Sequence, residues 1–463
     1  MSTNVISAIV QNDLCIGCGL CAVMCPDHLL EMRFNHFGEY NPIQNTNECL
    51  KDCGLCIKVC PFADGNDNED RIGKTLYGDI FGIGHRSETG YYLNSYVGYA
   101  PNTRKRGASG GMATWFLSKL LQKGIVDYIV AVVPNDDSNQ LFKFTILSNP
   151  ESVLDSSGSA YYPVELSKIL QEILNKPGKF AIIGLPCFIK AIRLAQKRNK
   201  NLKDKIVICI GLICGQMKTK EYTSYITKLA GVQGKLIKIN YRGKDPNYPT
   251  SNYFYSFEND TGKRGKIFWE EGVSEAWLNR WFTPIPCNYC DDIFAECADI
   301  AFMDAWLPEY SNDSQGTNIV LVRSQLVQDV MNHGINDNEV NLDPISIEKV
   351  VQSQIGVIDI KRRYLAHQLF LGHQQKLKIP KKRVAPLKLA NPFSAKEIHV
   401  KNQMQHDSRE IWNSKNQDAD HFRTEMRPYL AQLARWNRFS RILRLPLKAL
   451  KHIRRKIRSY RHG

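Results

Sequence analysis

Three stretches of the chain are almost wholly apolar and β-branched: Ile125 to Val133, Lys179 to Gly184 and Ile206 to Ile213. Each predicts a buried strand. Between and around them the apolar positions fall on a helical period. Met112, Trp115, Phe116 and Leu120 share one face of a helix that begins near Gly111, with Ser109 as its N-cap, and ends at Gly124. Further helices are predicted at about 164–175, directly after Cys187, and at about 218–229. Strands are predicted at 141–147, 236–241, 252–257 and 318–323, and helices at about 324–332 and 346–355. Strands alternating with helices imply an α/β body with parallel strands, whose ligands gather beyond the strands' carboxyl ends. Upstream, Glu31–Phe34 and Glu39–Pro42 predict a hairpin around His36-Phe37-Gly38, and the Asp/Asn/Gly-rich run 63–71 reads as a linker. From about residue 370 the period fades, and Gln, Lys, His and Pro become common.

Cysteine organises the N-terminal segment. Cys15, Cys18, Cys21 and Cys25, followed by Pro26, recur about 35 residues on as Cys49, Cys53, Cys56 and Cys60, followed by Pro61. Each copy is the bacterial ferredoxin run, in which three thiolates hold one [4Fe–4S] cube and the fourth ligates the other. Cys15, Cys18, Cys21 and Cys60 therefore go to one cluster, and Cys49, Cys53, Cys56 and Cys25 to the second. Zinc sites close on four local ligands and need no Cys-Pro ending. The second copy has one extra residue between its first two cysteines, in Leu50-Lys51-Asp52.

Composition narrows the class. With 463 residues, 43% of them hydrophobic, the chain is long enough for two or three domains. Its N-terminus has no secretory pattern, and no run of about 18 apolar residues predicts a membrane span. Fourteen cysteines in that setting point to a reducing, cytoplasmic compartment and to metal ligation. The net charge is +15, but eleven Lys and Arg and no acid fall from Arg435 onward, which leaves +4 for the rest. A near-neutral body argues against a nucleic-acid partner. In the tail Arg435, Arg438, Arg441, Arg444, Lys448, Lys451, Arg455 and Arg458 recur at three- and four-residue steps beside an apolar series from Trp436 to Ile457. That pattern suits a basic amphipathic helix, kinked at Pro446, on the inner face of an anionic membrane; a solvated disordered tail is the plain alternative.

Six cysteines remain. Cys187 and Cys214 stand at the ends of two predicted parallel strands, and Cys287 and Cys290 share one loop. Four thiolates complete a third [4Fe–4S] site, although zinc would satisfy the same count and Cys187 alone reads equally as a buried or reactive thiol. Cys209 reads as core, and Cys297 as core or an alternate ligand. The Ser109-Gly110-Gly111 turn before a helix leaves backbone N–H groups for an anion, with Arg104 and Arg106 nearby; a tight loop is the simpler reading. No His–Asp or Ser–His arrangement suggests acid–base machinery. Asp291, Asp292 and Asp304 are candidates that read more readily as capping or ligand-supporting groups.

Together these motifs resemble the beta subunit of coenzyme F420-reducing hydrogenase and its relatives, which include dehydrogenase beta subunits and a chlorophyll-cycle reductase. The resemblance rests on the dicluster run, Ser109-Gly110-Gly111, Gly158-Ser159-Ala160-Tyr161, Gly184-Leu185-Pro186-Cys187, Cys214-Gly215, Cys287 to Asp292 and Ala298-Asp299-Ile300 to Asp304. Two positions depart from it: the family's loop lysine is Ala160 here, and the glycine before the last aspartate is Met303. The resemblance implies an oxidoreductase that passes electrons between iron–sulfur clusters and a two-electron acceptor. It implies FAD, held at Ser109, Gly110, Gly111, Gly158 and Ser159. The partner is then a redox protein or a small hydride donor or acceptor, and relatives near surface-polysaccharide genes offer one setting. The alternative is a ferredoxin-like relay protein without a substrate of its own. The implied architecture is α/β (α+β): a dicluster ferredoxin domain at 1–75, an N-terminal-like family region at 88–175, a C-terminal-like region at 176–365, and an extension at 366–463 that ends in the basic helical or disordered tail.

Overall fold

The computed structural model describes residues 4–45, 49, 53–414 and 417–459. The Leu50-Lys51-Asp52 insertion and the tail's last residues, 460–463, lie outside these. The N-terminal module carries the expected hairpin, β1 (Leu30–Phe34) and β2 (Tyr40–Gln44), paired from Leu30↔Gln44 to Phe34↔Tyr40. Asn35 shapes its turn, because its side-chain oxygen accepts from the N–H of Phe37 and of Glu39 at 2.9 and 3.0 Å. The polar run 63–71 is only partly a linker. Asn68 caps a helix, Glu69–Tyr77, by accepting from Arg71 N. Asparagine serves loops and N-caps alike, so composition alone placed the boundary late.

A short pair, β3 (Gly84–Arg86) and β4 (Gly90–Tyr92), leads into the body. There follow β5 (Asn94–Tyr99), β6 (Tyr128–Pro134), β7 (Phe142–Leu147), β8 (Phe180–Gly184) and β9 (Ile206–Leu212). Next come β10 (Leu236–Gly243), β11 (Phe254–Asn259) and β12 (Arg264–Phe268), which form a separate antiparallel sheet. The last strands are β13 (Ile300–Asp304), β14 (Asn318–Val322) and β15 (Asn341–Pro344). The main sheet has eight strands in the order β15-β5-β14-β13-β9-β8-β6-β7. Its centre, β13-β9-β8-β6, is parallel, as the strand–helix alternation predicts. Its flanks are antiparallel. Every residue of β8 is buried, the signature of a strand covered on both faces.

The C-terminal extension departs most from expectation. Helices form at Leu365–Gln374, Pro392–Ser414 and Ala419–Ser459. Val400, Met404, Trp412, Phe422 and Met426 are buried in an aromatic core with Tyr225, Tyr255 and Trp281. The Trp412 indole N–H donates to Glu221 Oε2 at 2.9 Å. These contacts span nearly 200 residues of chain, and no local period announces them. The final helix is continuous to Ser459, past Pro446. Its Trp436, at the head of the basic stretch, packs on Phe393 with ring centroids 6.0 Å apart, under the Lys396 ammonium. Among the described residues no helix is long and apolar enough to cross a membrane.

Candidate electron-transfer site

The first cysteine run bends around Gly19, whose φ is +81°. A Cβ there would lie 2.7 Å from Glu165 Oε2 and 2.8 Å from Ser167 N, so only glycine lets this loop press against the body. Cys15, Cys18, Cys21 and Cys60 converge. Burial, opposed by the Gly17 N–H and aided by Cys60, pushes the Cys15 thiol up to about 12. Burial also raises Cys21, with Cys18, Cys15 and Cys60 as the next causes. In the second set burial, then Cys49 and Cys25, raise Cys56. Cys53 leads into the helix Leu55–Lys58, and its carbonyl accepts from Lys58 Nζ at 3.5 Å. The backbone N–H of Gly17 donates to Cys15 Sγ and that of Leu29 to Cys25 Sγ, each at 3.4 Å. Such N–H···S bonds tune cluster potentials.

The other four predicted ligands also meet. Cys187 sits in the first turn of the helix after β8, Cys214 two residues past β9, and Cys287 on a tight turn that leads into Cys290. With Ile16, Phe62, Pro186, Met217 and Lys361 they line a small cavity. Burial raises the Cys187 thiol well above its usual range, with Cys290, Cys214, Cys287 and then Cys18 as further causes. Cys18 belongs to the first ferredoxin set, so the two groups are neighbours. Among the described residues no three Cys, His, Asp or Glu side chains close on a single-ion position. Neutral buried thiols need a cationic centre to hold them as thiolates. Cys209 and Cys297 are fully buried and line no part of this cavity.

Lys361 is the cavity's cation. Burial opposes its charge, yet the Cys290, Cys287 and Cys214 sulfurs hold its pKa above the usual range. Cys287 and Lys361 also border a larger cleft of about 410 Å³, with Trp277, Trp306 and Arg280 on its walls.

The five residues predicted for flavin fall into two adjoining groups. Thr114, in the helix Met112–Gln122, lies 3.3 Å from Ser157, hydroxyl to hydroxyl, which brings the Gly158-Ser159 loop beside that helix. Ser109 is not the N-cap. Its hydroxyl donates to Thr317 O at 2.9 Å, and Asn318 Oδ1 instead accepts from Met112 N at 3.2 Å. Gly111 has φ +78°, and a Cβ there would lie 2.6 Å from Arg104 N. Gly158 is exposed, and Ser159 is half-buried. Two cations here went unpredicted. Arg242 donates to both oxygens of Asp304 at 3.1 and 3.2 Å and to Ala108 O at 3.2 Å. Lys244 Nζ donates to Arg104 O at 2.6 Å and Ser109 O at 2.7 Å, and burial, with Arg104 and Arg242, lowers its pKa to about 8. Both sit at the end of β10, where local pattern carries no signal of a site.

The acids near Cys290 form a buried charge cluster. Arg383 donates to Glu296 at 2.6 and 2.8 Å and to Asp291 Oδ2 at 3.3 Å, and Lys190 pairs with Glu69 at 3.0 Å. The buried carboxylates Glu69, Asp291, Asp292 and Glu296 lie among the cations Lys190, Lys382, Arg383 and Arg323. Asp292 is the acid these cations compensate least: burial, then Glu296 and Glu69, push its pKa up to about 8. Asp291 and Asp292 thus stabilise the cysteine loop, and Asp304 anchors Arg242.

Residues 14–63 match the 4Fe-4S dicluster domain. Residues 95–171 match the N-terminal region of the coenzyme F420 hydrogenase/dehydrogenase beta subunit, and 178–348 match its C-terminal region. The chain belongs to the coenzyme F420 hydrogenase/dehydrogenase beta subunit family. It is thus related to iron–sulfur proteins of electron transfer. The family's C-terminal region contains all four cysteines of the cavity, and residues beyond 348 lie outside the family regions. The chain is 22% identical over 346 residues to a component of the F(420)H(2) dehydrogenase of Methanosarcina mazei, covering 73% of this chain and 87% of that one. It is 24% identical over 372 residues to the coenzyme F420-dependent sulfite reductase of Methanocaldococcus jannaschii, spanning 76% of this chain and half of that protein's length. A chain of the F420-reducing [NiFe] hydrogenase complex of Methanosarcina barkeri aligns with a TM-score of 0.48 and 17% identity, over 62% of this chain and 95% of that one.

Proposed function

We propose that this protein is an electron conduit between its ferredoxin module and a two-electron acceptor in the adjoining cleft. Cys15, Cys18, Cys21 and Cys60 hold one cluster, Cys25, Cys49, Cys53 and Cys56 a second, and Cys187, Cys214, Cys287 and Cys290 a third. One observation carries the reading. The four-cysteine cavity is bordered by Ile16 and Phe62 of the ferredoxin module and shares Cys287 and Lys361 with the cleft. It therefore lies between an electron port and a binding site.

Bound there, iron–sulfur clusters supply one-electron steps, and a flavin converts them into hydride chemistry. The chain supplies the setting. Ile16, Phe62 and Met217 exclude water from the cysteines, Met217 N donates to Cys287 Sγ at 3.3 Å, and Lys361 offsets negative charge on the sulfurs. FAD is proposed at Ser109, Gly110, Gly111, Gly158 and Ser159, where Arg242 and Lys244 add positive charge. A relay without flavin is the second reading. It is favoured by the Ser109 hydroxyl and Met112 N–H being satisfied within the protein, and by Ala160 and Met303 standing where the family has lysine and glycine. Relatives that are components of larger enzymes support a redox partner protein, and the basic helix from Arg435 is proposed to rest on an anionic membrane surface at the cytoplasmic face.

Anaerobic purification with iron and flavin quantification tests these readings. About twelve irons and one flavin per chain support the flavin-bearing conduit. About twelve irons without flavin support the relay. About eight irons refute the third cluster.

A further inference from the structure

Three large apolar side chains stand exposed together at the mouth of the cleft. Leu278 is 61% exposed and Ile360 39%, and both line it. Ile355, also 61% exposed, opens the helix Ile355–Asp359, whose Gly356 and Val357 line it too. An apolar rim of this kind marks an interaction surface. Two acids beside it are neutralised within the protein: Asp359 pairs with Arg363 at 2.7 Å, and Glu397 with Lys401 at 3.0 Å.

The helix Pro392–Ser414 joins this rim to the basic helix. Its Ile398, Lys401 and Asn402 line the cleft. Phe393, Glu397 and Lys401 recur at four-residue steps and so share one face of it, about 12 Å long. At the far end of that face Phe393 meets Trp436 and Phe439 of the last helix, with ring centroids 6.0 and 6.1 Å apart. The Lys396 ammonium lies 3.8 Å from the centre of the Trp436 ring, and Phe439 is 46% exposed. An indole and two phenyl rings beside a lysine are the composition of an interfacial anchor. No acid follows Glu425, whereas eleven Lys and Arg fall from Arg435 onward. Apolar tips beside unopposed cations are complementary to a surface that offers hydrocarbon and anionic groups together.

We infer that the mouth of the cleft and the foot of the basic helix form one docking face for an anionic lipid bilayer. Leu278, Ile355, Ile360 and Phe439 enter the interface, and the basic helix meets the headgroups. The inference rests on the reading that this helix lies on a membrane surface, and it names the face of the body that follows the helix there. The cleft then opens toward the bilayer.

Flotation of the anaerobically purified full-length protein tests it, on mixed phosphatidylcholine–phosphatidylglycerol vesicles and on phosphatidylcholine alone. Leu278→Glu combined with Ile355→Glu places two carboxylates where apolar tips enter the interface, at positions too exposed to disturb the core. The double variant is expected to need at least about tenfold more mixed lipid for half-maximal flotation, the equivalent of one apolar side chain withdrawn. Leu326→Glu is the control. Leu326 is 47% exposed, on the helix Gln325–Asn336, which packs with Val320 and Val322 on the opposite face of the main sheet from Ile319 and Leu321. It should float as the wild type does, and phosphatidylcholine alone should float neither. Equal flotation of the double variant and the wild type overturns this face and leaves the helix's own membrane contact standing. An equal fall in L326E assigns the effect to net charge and overturns it as well. A lipid-free wild-type dimer that the double variant dissociates makes a second copy of this chain the occupant and overturns the lipid assignment. If the wild-type protein fails to float on the mixed vesicles, the membrane reading itself is wrong.

Discussion

Replacing Arg383 with methionine removes the cation that pairs with Glu296 and Asp291 in a buried cluster of four carboxylates. The arginine is 9% exposed and Glu296 and Asp291 are each 2% exposed, so solvent cannot take its place. It also joins parts of the chain far apart in sequence: Asp70 beside the ferredoxin module, Asp291 and Glu296 around the cysteine loop, and the C-terminal strap that carries it. Breaking a buried ion pair by deleting one partner costs about 3–5 kcal/mol. R383M should lose stability on that scale in anaerobic urea unfolding followed by tryptophan emission, and the clusters' visible absorption should bleach at lower urea. The pH dependence gives an independent check. Asp291 is depressed by Lys382 and Arg383, which overcome its burial, so its contribution is present above the ordinary carboxylate pKa and is lost as pH falls. Without Arg383, Asp291 and Glu296 take up protons more readily, so the deficit should shrink between pH 7.5 and pH 5.5. A loss below about 1 kcal/mol at neutral pH, the range of an exposed pair, would refute the reasoning.

Lys244 titrates near 8 in the fold, below the ordinary lysine range, so the unfolded chain binds the extra proton between the two values and stability rises with pH there. K244M should abolish that rise in urea midpoints compared at pH 7.5 and 9.5; an identical slope would exclude Lys244 as its source. Trp412→Ala empties a fully buried indole site at the junction of the extension with the aromatic core and should cost about 3–5 kcal/mol, read by thermal unfolding. Removal of residues 435–463 should abolish flotation with anionic liposomes, and undiminished flotation of the truncated protein removes the membrane proposal.

Legibility in the sequence followed the range of the interactions. The dicluster hairpin was predictable because eight cysteines and a glycine turn repeat locally. So were β8 and β9, whose continuous apolar runs need no partner to be recognised, and those strands foretold that Cys187 and Cys214 lie side by side. β5 was not predicted. It is polar at Asn94 and Ser95, and its neighbours β14 and β15 come more than 200 residues later. Ser109 read as a helix cap, yet that duty falls to Asn318, which only the folded sheet brings near. Arg242 and Lys244 carried no motif. Each matters through distant partners, which are not written in a local window. The fading period after residue 370 suggested a loose extension, whereas those helices complete both the aromatic core and one wall of the cleft. Their apolar positions meet several different surfaces, so no single stripe forms.

The central claim is that electrons reach the cleft through the cavity of Cys187, Cys214, Cys287 and Cys290. Iron analysis of Cys214→Ser, paired with its rate of reducing the dye dichlorophenolindophenol, tests this most directly. The account predicts the loss of about four irons from about twelve, with indophenol reduction abolished and oxidation of the ferredoxin clusters by hexaammineruthenium(III) intact. Full iron content with an unchanged indophenol rate would contradict it.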